Sequence, residues 1–364
     1  MSGALASPMT GEMFELMAEW DGIGVVVRYD APTGTWIFIA LHDDTLGRPV
    51  GGCRMKVYDR PEDALVDALR LAKGMTSKWA AIDFPFGGGK SVLAIPHELE
   101  GDERTGLLHR FGALLNTLKG SYGTGEDMGT TPEDMLTIAE ITPNVMGVEP
   151  GATEVIDPGP YTALGVFESI RSVLRHTVGS DDMVGKRILI QGIGRVGEPL
   201  ARTISAAGGQ VLLSDVDAPR VAALAEELGG TAVPADAIYT TDCDVFAPCA
   251  IGAILNEDTI PLLHCRGVAG SANNQLLDDD DADLLHGRGI LYAPDYIANG
   301  GGAMAFGLIS QGVTENEELR SRVGTIGTSL DEIFEESAAE SISPLVSASR
   351  RVERILTAAR TPTA

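Results

Sequence analysis

Gly192-Ile193-Gly194-Arg195-Val196-Gly197 constrains the fold more than any other stretch of this chain. The pattern G-x-G-x-x-G is weak alone. Here it follows the short β-rich run RILIQ (187–191) and opens an amphipathic helix, the setting that a dinucleotide-binding turn requires. The glycines permit a tight turn, close approach of backbone to a pyrophosphate, and close helix–strand packing. The helix N-terminus offers unpaired N–H donors and a positive dipole end to the phosphates. Asp215 closes the next strand, VLLSD, 18 residues beyond Gly197. A carboxylate there accepts hydrogen bonds from ribose hydroxyls and repels a 2′-phosphate, so the expected cofactor is NAD rather than NADP. Gly192, Gly194, Gly197 and Asp215 are the expected cofactor contacts.

Strand and helix alternate onwards through QVLLSDVD and APRVAALAEELGG, which argues for a parallel sheet covered by helices. The amphipathic stretch TALGVFESIRSVLRHTV (162–178) precedes them. Residues 147–161 are rich in Gly and Pro and lack periodicity, as expected of a connection between domains. In the first half, GVVVRYD (24–30) and TWIFIALHD (35–43) read as strands around the turn APTG, followed by GGCRMKVY (51–58). Pro61-Glu62-Asp63 starts a helix that the pattern carries to near Lys78. Then come an expected glycine-rich loop leading into a strand (84–96), a helix (about 103–119) and a loop (120–135). At 364 residues the chain has room for two cores. The expected fold class is therefore α/β, with two domains.

Charge narrows the partners. A net charge of −25 repels phosphate backbones and anionic headgroups, so neither nucleic acid nor a membrane is an expected partner. WIFIAL (36–41) is among the longest apolar runs, far short of the roughly 18 residues that span a bilayer. The N-terminus has no basic flank or long apolar core of a signal peptide. Cys53, Cys243, Cys249 and Cys265 lack zinc spacing, so no metal is expected, and reduced thiols in the cytoplasm are the simplest reading. Asp278–Asp281 reads as a solvated helix terminus.

Lysine usage points to chemistry. The chain has 6 lysines against 21 arginines, and four of the six fall between Lys56 and Lys90. Arginine stays protonated, whereas a buried lysine can lose its proton near neutral pH. Lys78 and Lys90 flank Gly87-Gly88-Gly89, and Gly125-Glu126-Asp127 lies in another glycine-rich segment of the same half. A phosphate-binding P-loop is excluded, because Phe84 stands where its first glycine belongs. One lysine as general base, another paired with a substrate carboxylate, and an aspartate moving protons form a candidate constellation.

GMTSKWAAIDFPFGGGKSVL (74–93), GTGEDMGTTPEDM (123–135), DVFAPCAIGAILN (244–256), GSANNQL (270–276) and APDYIANGGG (293–302) occur in this order together with GIGRVG. Together they resemble the glutamate/leucine/phenylalanine/valine dehydrogenases, nearest the leucine and phenylalanine branch, from about position 24 to 355. The resemblance implies reversible oxidative deamination of an L-amino acid to its 2-oxo acid and ammonia, with NAD as hydride acceptor. It implies that Lys78 binds the substrate α-carboxylate, Lys90 is the general base and Asp127 handles protons. It also implies that Gly51 and Gly52 line the substrate cleft. Asn273 and Thr162 fall beside the nicotinamide and Asn274 beside the substrate amino group. The side-chain pocket is assigned to Val50, Gly125, Ala303 and Phe306. Small residues at the first three of these, and an aromatic at the fourth, point to a bulky or aromatic substrate such as phenylalanine or tryptophan, with leucine or valine the alternative. Departures include Cys53 where Thr is common and the bulky Phe84-Pro85-Phe86. The implied fold is an N-terminal α/β substrate and oligomerisation domain (1–147), completed by C-terminal helices (333–364), with a Rossmann NAD domain (148–332) between. A homo-oligomer is implied too. Another Rossmann oxidoreductase, acting on a hydroxy acid, would explain GxGxxG and one catalytic lysine but not the second lysine with GEDMGT. A non-catalytic NAD-binding regulator would have lost one of Lys78, Lys90 and Asp127.

Overall fold

The computed structural model describes residues 10–148, 156–313 and 315–361. Contacts divide the chain into two compact units, residues 1–80 with 85–155 and residues 81–84 with 156–364.

In the first unit, helix α1 (Thr10–Trp20) precedes strands β1 (Gly24–Asp30), β2 (Thr35–Asp43) and β3 (Pro49–Val57). Helix α2 (Pro61–Ala81), β4 (Gly87–Ile95), α3 (Gly101–Thr117), β5 (Gly123–Glu126) and α4 (Pro132–Ala139) follow. The sheet order is β1-β2-β4-β3-β5. β1, β2 and β4 pair antiparallel, while β3 lies parallel to both β4 and β5. α2 packs Ala64, Leu65, Ala68, Leu69 and Ala72 with Phe38, Ala40, Val92 and Ala94 in one buried cluster. α3 and α4 pack Leu107, Phe111, Leu115, Met135 and Ile138 with Ile37, Ile39, Cys53, Met55, Leu93 and Ile95 in another. The helix start at Pro61 agrees with the sequence, but α2 runs on to Ala81. The triple glycine is not a loop: Gly87–Gly89 open β4, all nine residues of which are buried. Glycine persists there because neighbours crowd in. A Cβ at Gly88 would lie 2.0 Å from Thr76 Oγ1, and one at Gly89 2.7 Å from Tyr122. The expected loop at 120–135 likewise contains β5 and the start of α4, where Thr131 and Asp134 form a capping box.

The second unit begins with α5 (Gly159–Val178), β6 (Arg187–Gln191), α6 (Gly197–Ala206), β7 (Gln210–Ser214), α7 (Ala218–Leu228), β8 (Thr231–Ala232), β9 (Val245–Pro248) and β10 (Gly267–Val268). It continues with α8 (Asp281–Gly287), β11 (Leu291–Tyr292), α9 (Asp295–Ala298), α10 (Gly301–Ser310), α11 (Asn316–Glu340) and α12 (Pro344–Arg360). Every described strand pair is parallel, in the order β11-β10-β9-β6-β7-β8. This is the doubly wound arrangement, whose strand order reverses between β6 and β9. Asp278–Asp281 meets the start of α8, where the Asp281 carboxylate accepts from the Asp278 N–H at 2.9 Å.

The C-terminal helices correct one expectation. Residues 333–364 group with the second unit, not the first. α11 lies along α5, and Arg175 on α5 donates to Asp331 on α11 at 2.7 Å. α12 packs on α11, α8 and β11, and its Arg351 pairs with Asp83 in the short 81–84 segment that belongs to the same unit. The expected connection at 147–161 lies partly outside the described residues, which resume at Ile156; its last three residues form the first turn of α5.

Candidate active site

In the first unit the even-numbered residues of β3 set the geometry. Gly52 on β3 is in register with Gly125 on β5, and Lys90 lies on the neighbouring β4. Lys90 is 4% exposed, and its Nζ is 3.1 Å from Asp127 Oδ2. The same oxygen accepts from Arg54 Nε at 2.8 Å, and Arg54 also reaches Asp67 on α2 at 2.8 Å. Tyr58 donates its hydroxyl to that Asp67 oxygen. The result is a line of alternating charges, Lys90–Asp127–Arg54–Asp67, along one face of the sheet. Burial pushes the Asp127 carboxyl up, but the Lys90 ammonium and the Arg54 guanidinium outweigh it and hold the group below its usual value. Thr130 holds the backbone of this turn, accepting from the Asp127 N–H at 3.0 Å and donating to the Cys53 carbonyl at 2.9 Å. Burial pushes the neighbouring Cys53 thiol up to about 12, so Cys53 is packing, not a nucleophile.

The glycine pair is dictated by crowding. A Cβ at Gly51 would lie 1.8 Å from the Gly89 carbonyl oxygen. One at Gly52 would lie 2.7 Å from Asp127 Cβ and 3.2 Å from Lys90 Nζ, inside the ion pair. Gly125 is roomier, with only Met146 near its Cβ position, at 3.5 Å. Lys78 is half-buried in the last turn of α2, and the next residue, Trp79, donates its indole N–H to the Val50 carbonyl at 3.0 Å. That bond fixes the end of α2 against β3. Lys90, Asp127, Gly52, Val50 and Gly125 are thus brought onto one surface, with Lys78 on the helix end pinned beside it. Sequence reasoning passed over Arg54 although it stands in the quoted GGCRM run. Its signal was a cation two residues from Gly52, hence on the same face of the strand.

In the second unit the glycine turn sits at the carboxyl end of β6. Gly192 has φ +94°, a left-handed conformation that favours glycine, and a Cβ there would strike Ala250 at 2.7 Å. A Cβ at Gly197 would lie 1.8 Å from the Gly192 carbonyl oxygen. At Gly194 it would meet nothing within 4 Å, so the backbone there is open to a ligand. α6 starts at Gly197 with no side-chain cap on its N-terminus. The cradle therefore fits a pyrophosphate: bare backbone, uncapped N–H donors and a helix dipole. Asp215 follows β7 immediately. Its Oδ2 accepts from the Ile193 N–H at 2.8 Å and its Oδ1 from the Asp217 N–H at 3.1 Å, and these donors hold the carboxyl below its usual value. Thr162 lies in the first turn of α5, which adjoins the glycine turn: a Cβ at Gly159 would be 2.5 Å from the Arg195 carbonyl oxygen. Asn273 and Asn274 follow β10 on the same carboxyl side of the sheet. Asn299 donates to the Asn273 side chain at 2.7 Å, and the Asn274 carbonyl accepts from the Ala253 N–H. Ala303 and Phe306 are the half-buried positions of the first two turns of α10, three residues apart and so on one face.

A nucleotide crevice at the switch point of a parallel sheet, with a buried lysine–carboxylate pair elsewhere in the chain, defines a dinucleotide-dependent dehydrogenase. Comparison with known proteins makes the class specific. Residues 30–144 match the family model described as Glu/Leu/Phe/Val dehydrogenase, dimerisation domain, and residues 215–354 match the Glutamate/Leucine/Phenylalanine/Valine dehydrogenase model. The leucine dehydrogenase of Bacillus cereus is 38% identical over 345 residues, covering 95% of this chain and 93% of that one. The phenylalanine dehydrogenase of Lysinibacillus sphaericus is 37% identical over 350 residues, covering 95% and 91%. The crystal structure of L-tryptophan dehydrogenase from Nostoc punctiforme superposes with a TM-score of 0.84 at 34% identity, covering 95% and 99%. The chain belongs to the Glu/Leu/Phe/Val dehydrogenase family. It is an NAD-dependent amino-acid dehydrogenase, an oxidoreductase acting on a CH–NH2 bond. No described helix is long and apolar enough to cross a membrane.

Proposed function

We propose that the enzyme oxidatively deaminates a bulky or aromatic L-amino acid, phenylalanine or tryptophan, and reductively aminates the corresponding 2-oxo acid. The buried Lys90–Asp127 pair over Gly52 is the observation that carries the residue roles. NAD, when bound, accepts a hydride from the substrate Cα; Gly192, Gly194 and Gly197 would cradle its pyrophosphate and Asp215 its ribose. Lys78 pairs with the substrate α-carboxylate, and Gly51 and Gly52 line the cleft that it enters. Lys90 Nζ removes a proton from the water that adds to the imine carbon, and Asp127, 3.1 Å away, passes a proton to the amino nitrogen, which leaves as ammonia as the added hydroxyl gives up its proton and becomes the carbonyl. Asn274 orients the substrate amino group. Asn273, steadied by Asn299, and Thr162 orient the nicotinamide end.

Substrate size rests on Val50, Gly125 and Ala303, which leave room, and on Phe306, which offers an aromatic face. The likeness to a tryptophan dehydrogenase at a TM-score of 0.84 supports a bulky substrate. A leucine- or valine-type substrate is the second reading, favoured by the 38% identity to a leucine dehydrogenase. The match to a dimerisation-domain model supports a homo-oligomer built through the first unit. The site of action is the cytoplasm. A panel of L-amino acids with NAD, following NADH absorbance, tests the assignment. The reverse reaction must depend on ammonia; ammonia-independent reduction of a 2-oxo acid would overturn it in favour of a hydroxy-acid enzyme.

A further inference from the structure

Cys243 and Cys265 lie side by side at the amino ends of β9 and β10. Val245 on β9 is in register with Gly267 on β10, and each cysteine stands two residues earlier in the chain. The Cys243 N–H donates to the His264 carbonyl at 3.0 Å, so the two segments already run alongside each other before the strands begin. Neighbouring strands are about 4.8 Å apart, within the roughly 4.4–6.8 Å between α-carbons that a disulfide spans. Both side chains pack against the same buried cluster, which holds Phe246, Val268 and Leu285. Both residues are half-buried, and both are free thiols. The Cys243 S–H donates to the Cys265 sulfur. That bond, helped by the nearby Arg288 guanidinium, holds the Cys265 thiol below its usual value against the opposing pull of burial. The same bond, and burial, push Cys243 up. Arg288 is steadied by donating to the Ile260 and Leu263 carbonyls. The other two cysteines differ: Cys53 bonds to Ser91 and Cys249 to Ser271, and burial raises both thiols.

A sulfur with thiolate character and a second thiol in contact with it can be oxidised by two electrons without leaving the site. We infer that Cys243 and Cys265 are a redox-active pair that hydrogen peroxide converts reversibly to a disulfide, Cys265 attacking and Cys243 resolving. The Cys265 thiolate forms an S–O bond to one peroxide oxygen; the O–O bond breaks, and hydroxide leaves and takes up a proton. The Cys243 sulfur then attacks the Cys265 sulfur. The S–S bond forms, the S–O bond breaks, and water leaves with the Cys243 proton. Two thiols and one peroxide become one disulfide and two waters, the sulfurs giving up two electrons and the peroxide gaining them. A dithiol reductant returns the pair to thiols by exchange. The reduced pair is the resting form, and the resolving thiol stops Cys265 short of the irreversible sulfinic acid. The chemistry is independent of which amino acid the enzyme oxidises.

The test treats the folded enzyme with hydrogen peroxide, blocks the remaining thiols under denaturing conditions, and cuts the chain after glutamate. Cleavage at Glu227, Glu257 and Glu315 puts Cys243 in residues 228–257 and Cys265 in residues 258–315. The expected result is an intact mass lower by two hydrogens and the two fragments joined until a reductant is added. Cys249→Ser, which removes the other cysteine of the first fragment, should give the same joined pair. Cys243→Ser should carry Cys265 to sulfenic and then sulfinic acid, while Cys265→Ser should leave Cys243 reduced at the same dose. In the wild type, a Cys265 that gains oxygen without joining the fragments would overturn the inference. A Cys265 that stays reduced, or a join that runs to Cys249 instead of Cys243, overturns it as well. If Cys265→Ser is oxidised as fast as wild type and Cys243→Ser is not, the assigned order of attack is wrong.

Discussion

Around Lys90 the chain concentrates charged side chains; around Gly192 it relies on bare glycine backbone. In the first unit, Lys90, Asp127, Arg54 and Asp67 hold one another within 3.1 Å. In the second, Gly192 and Gly197 have no space for a Cβ, Gly194 has nothing within 4 Å of its Cβ position, and the Asp215 carboxylate is held by backbone N–H groups. On the proposed roles, the difference follows from what each region does. Moving a proton needs titratable groups, and a mutually hydrogen-bonded set holds them in place while buried. Holding a pyrophosphate needs many modest donors in a fixed array, which backbone supplies without side-chain entropy. On those roles, loss of one member in the first region should stop chemistry, whereas loss of one in the second should grade affinity.

Lys90→Ala is the strongest way to break this comparison. It should lower turnover by about 10²–10⁴-fold, the usual cost of a lost general base. NADH affinity, read by nucleotide fluorescence, should stay within a few-fold of wild type. Turnover within a few-fold of wild type would remove Lys90 from the chemistry, and a parallel loss of NADH binding would show that the two regions are not separable. Lys78→Ala comes next. Loss of a charge-assisted bond to the α-carboxylate, worth about 1.5–3 kcal/mol, should raise the substrate KM by ~10–100-fold. An unchanged KM would reassign Lys78.

The two regions also differ in how far the sequence disclosed them. The glycine turn was legible because its requirements are local: strand, turn, helix and acid all fall within 29 residues, from Arg187 to Asp215. The β1–β2 hairpin was legible from its alternation and turn. The charged line was legible only in part. Lys90 and Asp127 stood out by residue type, but Arg54 finds Asp127 across 73 residues, a pairing no local pattern encodes. The triple glycine of β4 reads as a loop because glycine is poor in strands. Only Thr76 and Tyr122, which crowd it in space, explain the extended conformation. Helical periodicity in the last residues gave α11 and α12 but not their docking partner, because an apolar stripe does not name the surface that covers it.

Asp215→Ala sharpens the second half of the comparison. Its carboxylate should be worth roughly one charge-assisted hydrogen bond to ribose together with repulsion of a 2′-phosphate, so the preference for NAD over NADP in kcat/KM should narrow about tenfold. A wild-type enzyme that prefers NADP would contradict the role. Acid titration sets the two carboxylates side by side. Both Asp127 and Asp215 have folded values below the unfolded one, so the stability each contributes is present above the usual carboxylate range and lost as pH falls through the folded value. The Tm gaps between wild type and Asp127→Asn or Asp215→Asn should therefore be widest near pH 7 and close below about pH 4. The Asp127 gap should be the larger, because its removal takes the carboxylate from Lys90 and leaves Arg54 with Asp67 alone. A gap that stays constant down to pH 3 would mean that neither carboxylate gains from folding as an anion.

Val50→Leu should give the smallest effect and bears most directly on substrate. Val50 is buried on β3, with its Cγ2 directed at the place where Gly123 has no Cβ. A Cβ at that place would already lie 3.2 Å from Arg48 Nη2, so the added methylene must displace the guanidinium slightly, at a small cost in packing, as it shortens the subsite. One methylene in an apolar pocket is worth about 1–3 kcal/mol of discrimination. The phenylalanine-to-valine ratio of kcat/KM should fall by about tenfold, at the low end of that range because Gly125 remains open beside it. A ratio that does not move would place Val50 outside the pocket. The wild-type ratio decides the larger question. If leucine or valine exceeds phenylalanine and tryptophan by tenfold, about 1.4 kcal/mol, then backbone shifts have closed the room left by Val50, Gly125 and Ala303. The small residues would then describe packing rather than substrate size.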